Sequence, residues 1–243
     1  MKVALAGQYC EDILQIILDN GIEIVDKNPD IIIAFGGDGS LLWAEREFPG
    51  IPKLPIRDTR TAKLCRVHSH DSIIQHLLEN KLKITELIKL EALYKEHVIF
   101  GINDIFLHNI HRITSIRYRV FIDKELYLKE VASDAFGIAT PHGSTAYYKS
   151  ITNTIFKTGI GMAFSNSREH VSNIILPDDV TIRIKMLRGP ALLVADNSNQ
   201  TFQIDSPDEF CIRKSHQKAI VLGLKEFMCP ECRKLRHMKN RLQ

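Results

Sequence analysis

Residues 31–42 read IIIAFGGDGSLL, in which a run of apolar residues breaks at the segment GGDGS, residues 36–40, and then resumes. The first five residues lack polar alternation, which is typical of a strand covered on both faces. A strand that leads through a glycine-rich turn into a helix presents backbone N–H groups and the positive end of the helix dipole to an anion. The pattern therefore predicts an α/β fold with a phosphate-binding turn.

Asp38 lies among the glycines of this turn, and its position is compatible with three roles. The carboxylate would act as a general base on an attacking hydroxyl, as an outer ligand of a phosphate-bound Mg²⁺, or as a group that stabilises the turn. The turn is not the G-x-G-x-x-G loop of dinucleotide-binding folds. It is also not a Walker A loop, since no Gly-Lys-Ser/Thr follows.

Residues 1–88 alternate between short strand patterns and helix patterns, which predicts an α/β N-terminal lobe with a Rossmann-like parallel sheet. The predicted strands are 3–7, 21–25 and 30–35, and the predicted helices are 11–20, 41–48 and 71–81. Residues 51–66 contain Pro52 and Pro55 and are predicted as a loop with at most a short strand. Ser72 or Asp71 is predicted to cap the third helix.

From about residue 82 the chain is rich in alternating, β-branched and aromatic residues, as in 84–109 and 113–131. Such patterns favour antiparallel strands. We therefore predict a β-rich C-terminal lobe of the β-sandwich type. The predicted domains are residues 1–88 and residues 89–243, the second with a basic C-terminal tail.

Composition limits the class of protein. The 243 residues carry 32 Lys and Arg against 29 Asp and Glu, a net charge of +3, which argues against a nucleic-acid partner. No stretch approaches the roughly 18 to 20 uninterrupted apolar residues of a membrane span. The five cysteines are odd in number and irregularly spaced, which indicates reduced thiols. A cytoplasmic protein without a membrane partner is expected.

Two further segments carry polar side chains suited to a ligand. Within residues 133–150, SDAFGIATPHGSTAYYKS, the run 140–147 combines hydroxyls, a small residue and Tyr147. We predict this run to be a loop that binds a polar ligand with a ring to stack. In residues 101–109, GINDIFLHN, the pair Asn103-Asp104 interrupts an apolar strand. An amide beside a carboxylate suits the edge of a purine or a pair of ribose hydroxyls.

In these three ordered segments the sequence resembles the NAD kinase family, a branch of the Gly-Gly-Asp-Gly kinase superfamily. The family motifs are a Gly-Gly-Asp-Gly loop, an Asn-Glu pair, and an Asp-Gly element leading into Thr-Pro-x-Gly-Ser/Thr-Thr-Ala-Tyr. The resemblance spans roughly residues 30–225. It implies transfer of the γ-phosphoryl of ATP, bound with a divalent Mg or Mn ion, to the 2′-hydroxyl of the adenosine ribose of NAD.

The resemblance also implies roles for single residues. Asp38 would orient or deprotonate the 2′-hydroxyl. The residues that would shape the loop around the ATP phosphates are Gly36, Gly37, Gly39 and Ser40. Asn103 would hold the adenine, and Asp104 stands where the family has Glu.

Further residues would belong to the NAD site by the same resemblance. The residues that would line it are Thr145, Ala146, Tyr147 and Ser150. Asp134 matches a family aspartate that reaches the nicotinamide end, often across a subunit interface, and Ala163 is placed at the same contact. The resemblance therefore implies a homodimer or homotetramer.

The chain departs from the family pattern at several positions. PIRDTRTAKLC, residues 55–65, stands where the family has a second glycine-bearing segment. Arg57 and Arg60 there would either contact phosphate or belong to a solvated surface loop. The family's Asp-Gly step reads Asp196-Asn197, in which Asn can adopt the left-handed conformation of Gly.

The C-terminal tail contains Cys229-x-x-Cys232 with His237 nearby. A structural zinc site needs four ligands, and Cys10, Cys65 and Cys211 are the other cysteines that could complete it. No residue is assigned as a metal ligand from the sequence alone. The basic run 233–241 is predicted to be a solvated helix face or a frayed terminus.

Two alternatives to an active NAD kinase stay open. The missing second glycine segment is compatible with a catalytically impaired, NAD- or nucleotide-binding regulatory protein. A related lipid-type kinase is the other alternative, although that type would lack the Thr-Ala-Tyr and Asn-Asp segments. The sequence does not distinguish NAD from NADH as acceptor, or ATP from polyphosphate as donor.

Overall fold

The computed structural model describes residues 1–60, 64–111 and 113–239, which form two compact units. The first unit consists of Met1–Leu87 together with the described residues from Ala219 onward. The second unit consists of Ile88–Lys218. Among the described residues, no helix is both long and apolar enough to cross a bilayer.

The elements are numbered here in chain order. The strands are β1 Lys2–Ala6, β2 Glu23–Ile24, β3 Ile31–Gly36, β4 Lys53–Arg57, β5 Ile84–Tyr94, β6 His97–Gly101, β7 Asp104–Asn109, β8 Ile116–Ile122, β9 Glu125–Ser133, β10 Ala135–Ala139, β11 Ile160–Ser165, β12 Ile174–Leu176, β13 Thr181–Arg188, β14 Ala191–Ala195, β15 Thr201–Ile204 and β16 Glu209–Leu222. The α-helices are α1 Glu11–Asp19, α2 Asp38–Glu47, α3 His70–Leu78, α4 Tyr147–Thr152, α5 Leu224–Phe227 and α6 Pro230–Lys239. Short 3₁₀ helices span Arg66–His68 and Gly143–Thr145.

The first unit is built on a parallel sheet with strand order β2-β1-β3-β4, and the end of β16 joins β4 in parallel at Val221 and Lys53. Apolar residues of α1 and α3, such as Ile13 and Ile73, pack with one face of this sheet. Ala44 of α2 belongs to a separate cluster with Ala4 and Ala34 on the other face. Both faces of the central strands are therefore covered, as the unbroken apolar run 31–35 predicts.

The second unit consists mainly of antiparallel strands. One group has the order β9-β8-β13-β16, and a six-stranded sheet has the order β12-β11-β10-β7-β14-β15. Alternate residues of both groups, including Tyr118, Val120, Phe136 and Ile184, meet in one hydrophobic cluster. This is a β-sandwich arrangement.

The fold class is confirmed, with an α/β first unit and a β-rich second unit. The structure differs from the sequence-based division at the C-terminus. Residues from Ala219 onward, placed by the sequence in the second domain, group with the first unit because the end of β16 adds to its parallel sheet.

One helix cap differs from its prediction. Helix α3 is capped by Ser69, whose hydroxyl accepts a hydrogen bond from the Ser72 backbone N–H at 3.2 Å, and not by Ser72 or Asp71. Residues 53–57 form the short strand β4 that the prediction for 51–66 allowed, and every residue of it is buried. The run 140–147 follows β10 and contains a 3₁₀ helix, and α4 begins at Tyr147.

Candidate functional site

The carboxyl ends of β1, β3 and β4 lie at one edge of the first unit's sheet because these strands are parallel. Gly7 follows β1, the GGDGS segment follows β3, and Arg57 is the last residue of β4. Ligands of open α/β sheets bind outside this edge. The predicted phosphate turn therefore lies where such a fold places a site.

The glycine turn is tighter than predicted, because α2 begins at Asp38 rather than at Leu41. Gly37 is the N-cap, so Asp38, Gly39 and Ser40 form the first helical turn. Gly36 has a φ of +139°, and a Cβ there would lie 2.3 Å from the Ser40 hydroxyl oxygen. Glycine is thus required at position 36, both for its backbone conformation and for the close approach of Ser40.

Asp38 is held by an arginine that sequence analysis left between two interpretations. The Arg57 Nη2 atom lies 3.2 Å from the Asp38 Oδ1 atom, and Arg57 is paired with Gly36 in the strand register. Arg57 is only 6% exposed, so it does not belong to a solvated surface loop. The Asp38 side chain is 55% exposed and can reach a ligand.

Arg57 is itself fixed by the C-terminal segment. Its Nε atom donates to the Phe227 carbonyl oxygen at 3.3 Å, and its guanidinium lies over the Phe227 ring, 3.6 Å from the centroid. The Met228 sulfur is 3.9 Å from Nη2. Arg60 is placed differently, since it pairs with Asp12 and stacks over Tyr9.

A cavity of about 250 Å³ adjoins the first turn of α2. The residues that line it are Gly7, Gln8, Gly39, Ser40 and Trp43. The positive end of the α2 dipole favours an anion at this position. Sequence analysis missed Gly7, Gln8 and Trp43, although a glycine at the end of the first predicted strand pointed to the same sheet edge.

The Asn103-Asp104 pair of the second unit forms the turn between β6 and β7. The Asp196 carboxylate accepts hydrogen bonds from the backbone N–H groups of Ile102 and Asn103, both at 2.8 Å, and of Asp104 at 3.1 Å. Asp196 has a φ of +50°, so the left-handed position is Asp196 and not Asn197 as expected. Sequence analysis did not assign this role to Asp196.

The predicted 140–147 segment is fastened to the same turn. Thr140 donates to the backbone oxygens of Asn103 and Ile102, through its N–H at 2.8 Å and its hydroxyl at 2.6 Å. A Cβ at Gly143 would lie 1.9 Å from the Asn103 oxygen, so only glycine permits this close approach. Ser144 is buried and donates to the Phe156 carbonyl oxygen at 3.0 Å. Thr140 and Ser144 therefore stabilise the segment and do not face a ligand.

Asp104 is 7% exposed and lies near a second carboxylate. Burial, together with the negative charge of Asp196, raises the pKa of Asp104 to about 8. At neutral pH the Asp104 carboxyl is therefore mostly protonated, and a protonated carboxyl can donate a hydrogen bond as well as accept one.

Tyr147 presents an aromatic ring beside this turn. The ring packs edge-on against Phe106 with centroids 4.7 Å apart, and it lies 5.5 Å from the His108 ring. Tyr147 is 40% exposed. Burial, with smaller effects of Asp104 and Asp134, raises its pKa, and burial lowers the pKa of His108, so both rings are favoured in their neutral forms.

The other residues predicted for the NAD site fall into two groups. Those on the surface are Asp134, Thr145, Ala146 and Ser150. Asp134 accepts a hydrogen bond from the Asn166 side-chain amide at 2.9 Å. Ala163 is fully buried in a core cluster with Ala139, Tyr148 and Phe156, and its contact at the nicotinamide end stays a prediction.

Each unit therefore carries one group of predicted residues. In the first unit the structure brings together the GGDGS turn, Arg57 and the cavity. In the second unit it brings together Asn103, Asp104 and Tyr147, with Asp196 as an added member.

The chain is similar to known proteins along most of its length. The family model for the ATP-NAD kinase C-terminal domain matches residues 102–224, slightly more than half of the chain. An NAD kinase of Saccharolobus islandicus is 29% identical over 222 residues, which cover 87% of this chain and 86% of the relative. An NAD kinase of Thermoplasma volcanium is 27% identical over 215 residues, which cover 85% and 78%.

Two solved structures share the fold. A crystal structure of yeast NADH kinase complexed with NADH has a TM-score of 0.79 at 20% identity, covering 93% of this chain and 84% of that chain. A crystal structure of an NAD kinase from Archaeoglobus fulgidus in complex with ATP has a TM-score of 0.76 at 16% identity, covering 95% and 97%.

Proposed function

Because the chain belongs to the ATP-NAD kinase family, we propose that it transfers the γ-phosphoryl of ATP to the 2′-hydroxyl of the adenosine ribose of NAD, giving NADP. One observation carries this proposal. Within the family-matched residues, Asn103-Asp104 and the 140–147 segment are joined by hydrogen bonds into one ligand-facing turn beside Tyr147.

The first unit is proposed to bind the phosphates of ATP. The cavity beside Gly39 and Ser40 lies at the N-terminus of α2, where an anion is favoured. Gly36 and Gly37 permit the turn that directs this helix end toward the sheet edge. We assign the ATP phosphates to this cavity.

Asp38 is proposed to act on the hydroxyl. The 2′-oxygen attacks the γ-phosphorus, its proton passes to the Asp38 carboxylate, and the bond from the γ-phosphorus to the bridging oxygen breaks to release ADP. Arg57 restricts the rotation of Asp38 by binding Oδ1. Phosphoryl transfer depends mainly on positioning and charge stabilisation, to which such a held carboxylate contributes.

A divalent ion, Mg or Mn, is proposed to accompany ATP. The residues present fit such an ion, because Asp38, which directly precedes the cavity-lining Gly39, offers a half-exposed carboxylate, and Mg²⁺ usually binds one or two carboxylates plus substrate phosphates. The bound ion would neutralise phosphate charge.

The second unit is proposed to bind NAD. The Asn103 amide suits the adenine edge, and the exposed Tyr147 ring offers a stacking face. Thr145, Ala146 and Ser150 would line the same surface. Asp134 would reach the nicotinamide end of a neighbouring subunit's NAD in a homodimer or homotetramer. The five free cysteines support a reducing, cytoplasmic location.

The test is NADP⁺ formation by the purified protein with NAD⁺, ATP and Mg²⁺. Asp38→Asn should lower turnover by about 100-fold or more while NAD binding, measured by calorimetry, stays near the wild-type value. Asp19→Asn, an exposed carboxylate of α1, is the matched control and should retain full activity. Parallel reactions with NADH and with polyphosphate identify the preferred acceptor and donor.

A second candidate is a regulatory NAD-binding protein without turnover. The observation that favours it is Arg57, which already occupies Oδ1 of Asp38 and stands in the segment that lacks the family's second glycine motif. NAD binding without NADP⁺ formation by the wild type would select this candidate. Equal turnover in the wild type and Asp38→Asn would reject the proposed role of Asp38.

A further inference from the structure

Four side chains of the first unit converge at a place distant in sequence from the glycine turn. They are Cys65, His68, Cys229 and Cys232, and one ligand atom from each lies within 4.8 Å of all the others. Cys65 and Cys232 are 167 residues apart along the chain. Because none of these residues has a part in the proposed phosphoryl transfer, the cluster calls for a separate explanation.

The distances among three of the ligand atoms match a tetrahedral metal site, and the Cys229 sulfur lies within 4.8 Å of each of the three. The Sγ atoms of Cys65 and Cys232 are 3.5 Å apart, and the His68 Nδ1 atom lies 3.3 Å from the first and 3.7 Å from the second. Zinc bonds of about 2.3 Å to sulfur and 2.0–2.1 Å to nitrogen give tetrahedral edges of about 3.8 Å and about 3.6 Å. The observed distances agree with these edges to within about 0.3 Å.

The two halves of the cluster are presented by the ends of two helical segments. Cys65 is the N-cap of the 3₁₀ helix Arg66–His68, and His68 ends that helix. Cys229 directly precedes α6, and Cys232 lies in its first turn. Each pair is separated by two residues, a spacing that brings both side chains to one side of a helical turn and recurs in zinc sites.

The chemistry of the ligands selects the metal. Three thiols and one imidazole form a soft set that favours zinc over Mg²⁺ or Ca²⁺, which prefer oxygen ligands. The separation of 3.5 Å between the two sulfurs exceeds the length of a disulfide bond, about 2.05 Å, and all five cysteines are free. We propose that Cys65, His68, Cys229 and Cys232 bind a structural zinc ion.

The environment of the sulfurs is consistent with a closed, structural site. Cys229 and Cys232 are 8% and 5% exposed, while Cys65 and His68 are partly exposed, which leaves a path for the ion to enter. The Cys65 backbone N–H donates to the Cys232 sulfur at 3.3 Å, a contact that also orients a metal-bound thiolate. All four coordination positions are supplied by protein, so no position remains for a substrate.

The location of the site indicates what the ion stabilises. Cys229 follows Phe227 and Met228, the two residues that contact Arg57, and Arg57 in turn holds Asp38. A zinc ion would fasten this C-terminal segment to the residues that follow β4. The zinc site itself does not depend on the proposed kinase activity. Only its indirect effect on the position of Asp38 rests on that proposed function.

The structure changes the ligand set that the sequence suggested. Cys65 is the ligand that joins the Cys229–Cys232 pair, whereas Cys10 lies beside Gly7 and Cys211 belongs to β16 in the second unit. The fourth ligand is His68, to which sequence analysis assigned no role. The side chain of His237 lies outside the part of the chain that the structure describes.

The first test measures zinc in protein purified from zinc-supplemented medium without chelators. We expect about one zinc ion per chain in the wild type and in Cys211→Ser, and less than about a fifth of that in Cys65→Ser, Cys232→Ser and His68→Ala. His68→Cys should retain zinc, because it replaces the imidazole with a fourth thiol and the site keeps four ligands. Wild-type protein without zinc, or loss of zinc in Cys211→Ser alone, would overturn the proposal.

The second test covers the case in which the variants fail to fold. Chelation of zinc from wild-type protein should lower Tm by roughly 5–10 °C, and Co²⁺ added to the stripped protein should produce thiolate-to-cobalt absorption. Absence of that absorption would overturn the proposal. So would a mass loss of two hydrogens under non-reducing conditions, assigned to a disulfide among Cys65, Cys229 and Cys232 in the freshly purified protein.

Discussion

At the residue scale, exposure separates side chains that can meet a ligand from those that hold the backbone. Thr140 and Ser144 have the hydroxyls expected of a binding loop, but both are buried and donate to backbone oxygens. Tyr147, a few positions later, is exposed. The same motif therefore contains a buried part that holds the backbone and an exposed part.

Asp104→Asn should change how stability depends on pH. With its pKa raised to about 8, folded Asp104 keeps its proton between about pH 4 and pH 8, where an unfolded aspartate has lost it. The folded state then binds more protons, so stability falls as pH rises through this window, by up to about 1.4 kcal/mol per pH unit. Asp104→Asn should flatten this decline in urea unfolding at pH 5, 6.5 and 8.

The control for this prediction is Asp179→Asn, which alters an exposed carboxylate of the same unit. That variant should follow the wild-type pH dependence. Relative to the wild type, Asp104→Asn should gain most stability at pH 8, because the wild type has lost the most stability there. Burial and the charge of Asp196 both contribute to that loss. Parallel curves for wild type and Asp104→Asn would contradict the burial-driven pKa.

Tyr147→Ala should weaken NAD binding through loss of the ring. Stacking of an aromatic side chain on a base contributes about 1–3 kcal/mol, so we expect Kd to rise by about 5- to 150-fold. Calorimetric titration with NAD⁺ measures the change, and Tyr147→Phe, which keeps the ring, should bind like the wild type. An unaltered Kd in Tyr147→Ala would show that the ring does not contact the ligand.

At the element scale, β4 shows how tertiary contacts override local sequence. Two prolines favoured a loop with at most a short strand for residues 51–66, and there β4 pairs with β3 and every residue of it is buried. Lys53 is fully buried within it, forms an ion pair with Glu45 of α2, and donates to the Phe48 carbonyl oxygen at 2.5 Å. The pair links the strand to the helix that carries Asp38.

Lys53→Met should destabilise the protein strongly, because it removes the buried ammonium that forms an ion pair with the buried Glu45 carboxylate. The expected loss in the free energy of unfolding is about 3–5 kcal/mol. The double variant Glu45→Leu/Lys53→Met should recover most of this loss, because a buried ion pair and an apolar pair of similar volume often have similar stability. Urea unfolding measures both, and a double variant as unstable as the single one would contradict the explanation.

At the scale of the whole molecule, the described residues from Ala219 onward contact elements that are far away in the sequence. The chain completes the strands of the second unit, and β16 then adds its final residues to the parallel sheet of the first. The segment that follows places Phe227 against Arg57 and Cys232 against Cys65. The C-terminal segment thus contacts Arg57, the residue that holds Asp38.

Much of the fold could be predicted, because the spacing of apolar residues along the chain indicates the type of each element. The unbroken apolar run of β3, the 3.6-residue spacing of α1 and the alternation of β8 each reflect which faces of an element are buried. The start of α2 at Asp38 could not be predicted, since glycine disfavours helix and only packing on the sheet outweighs that preference.

Local sequence patterns are sufficient to predict the two fold classes, the family and the three motifs, because these depend on residues close together in the chain. Three-dimensional coordinates were needed to find that Arg57 holds Asp38, that Asp196 fastens the Asn103-Asp104 turn and that Ala163 is buried. They also show which histidine joins the cysteine cluster. Each of these contacts joins residues far apart in sequence, and such contacts form only when strand pairing and core packing bring the segments together.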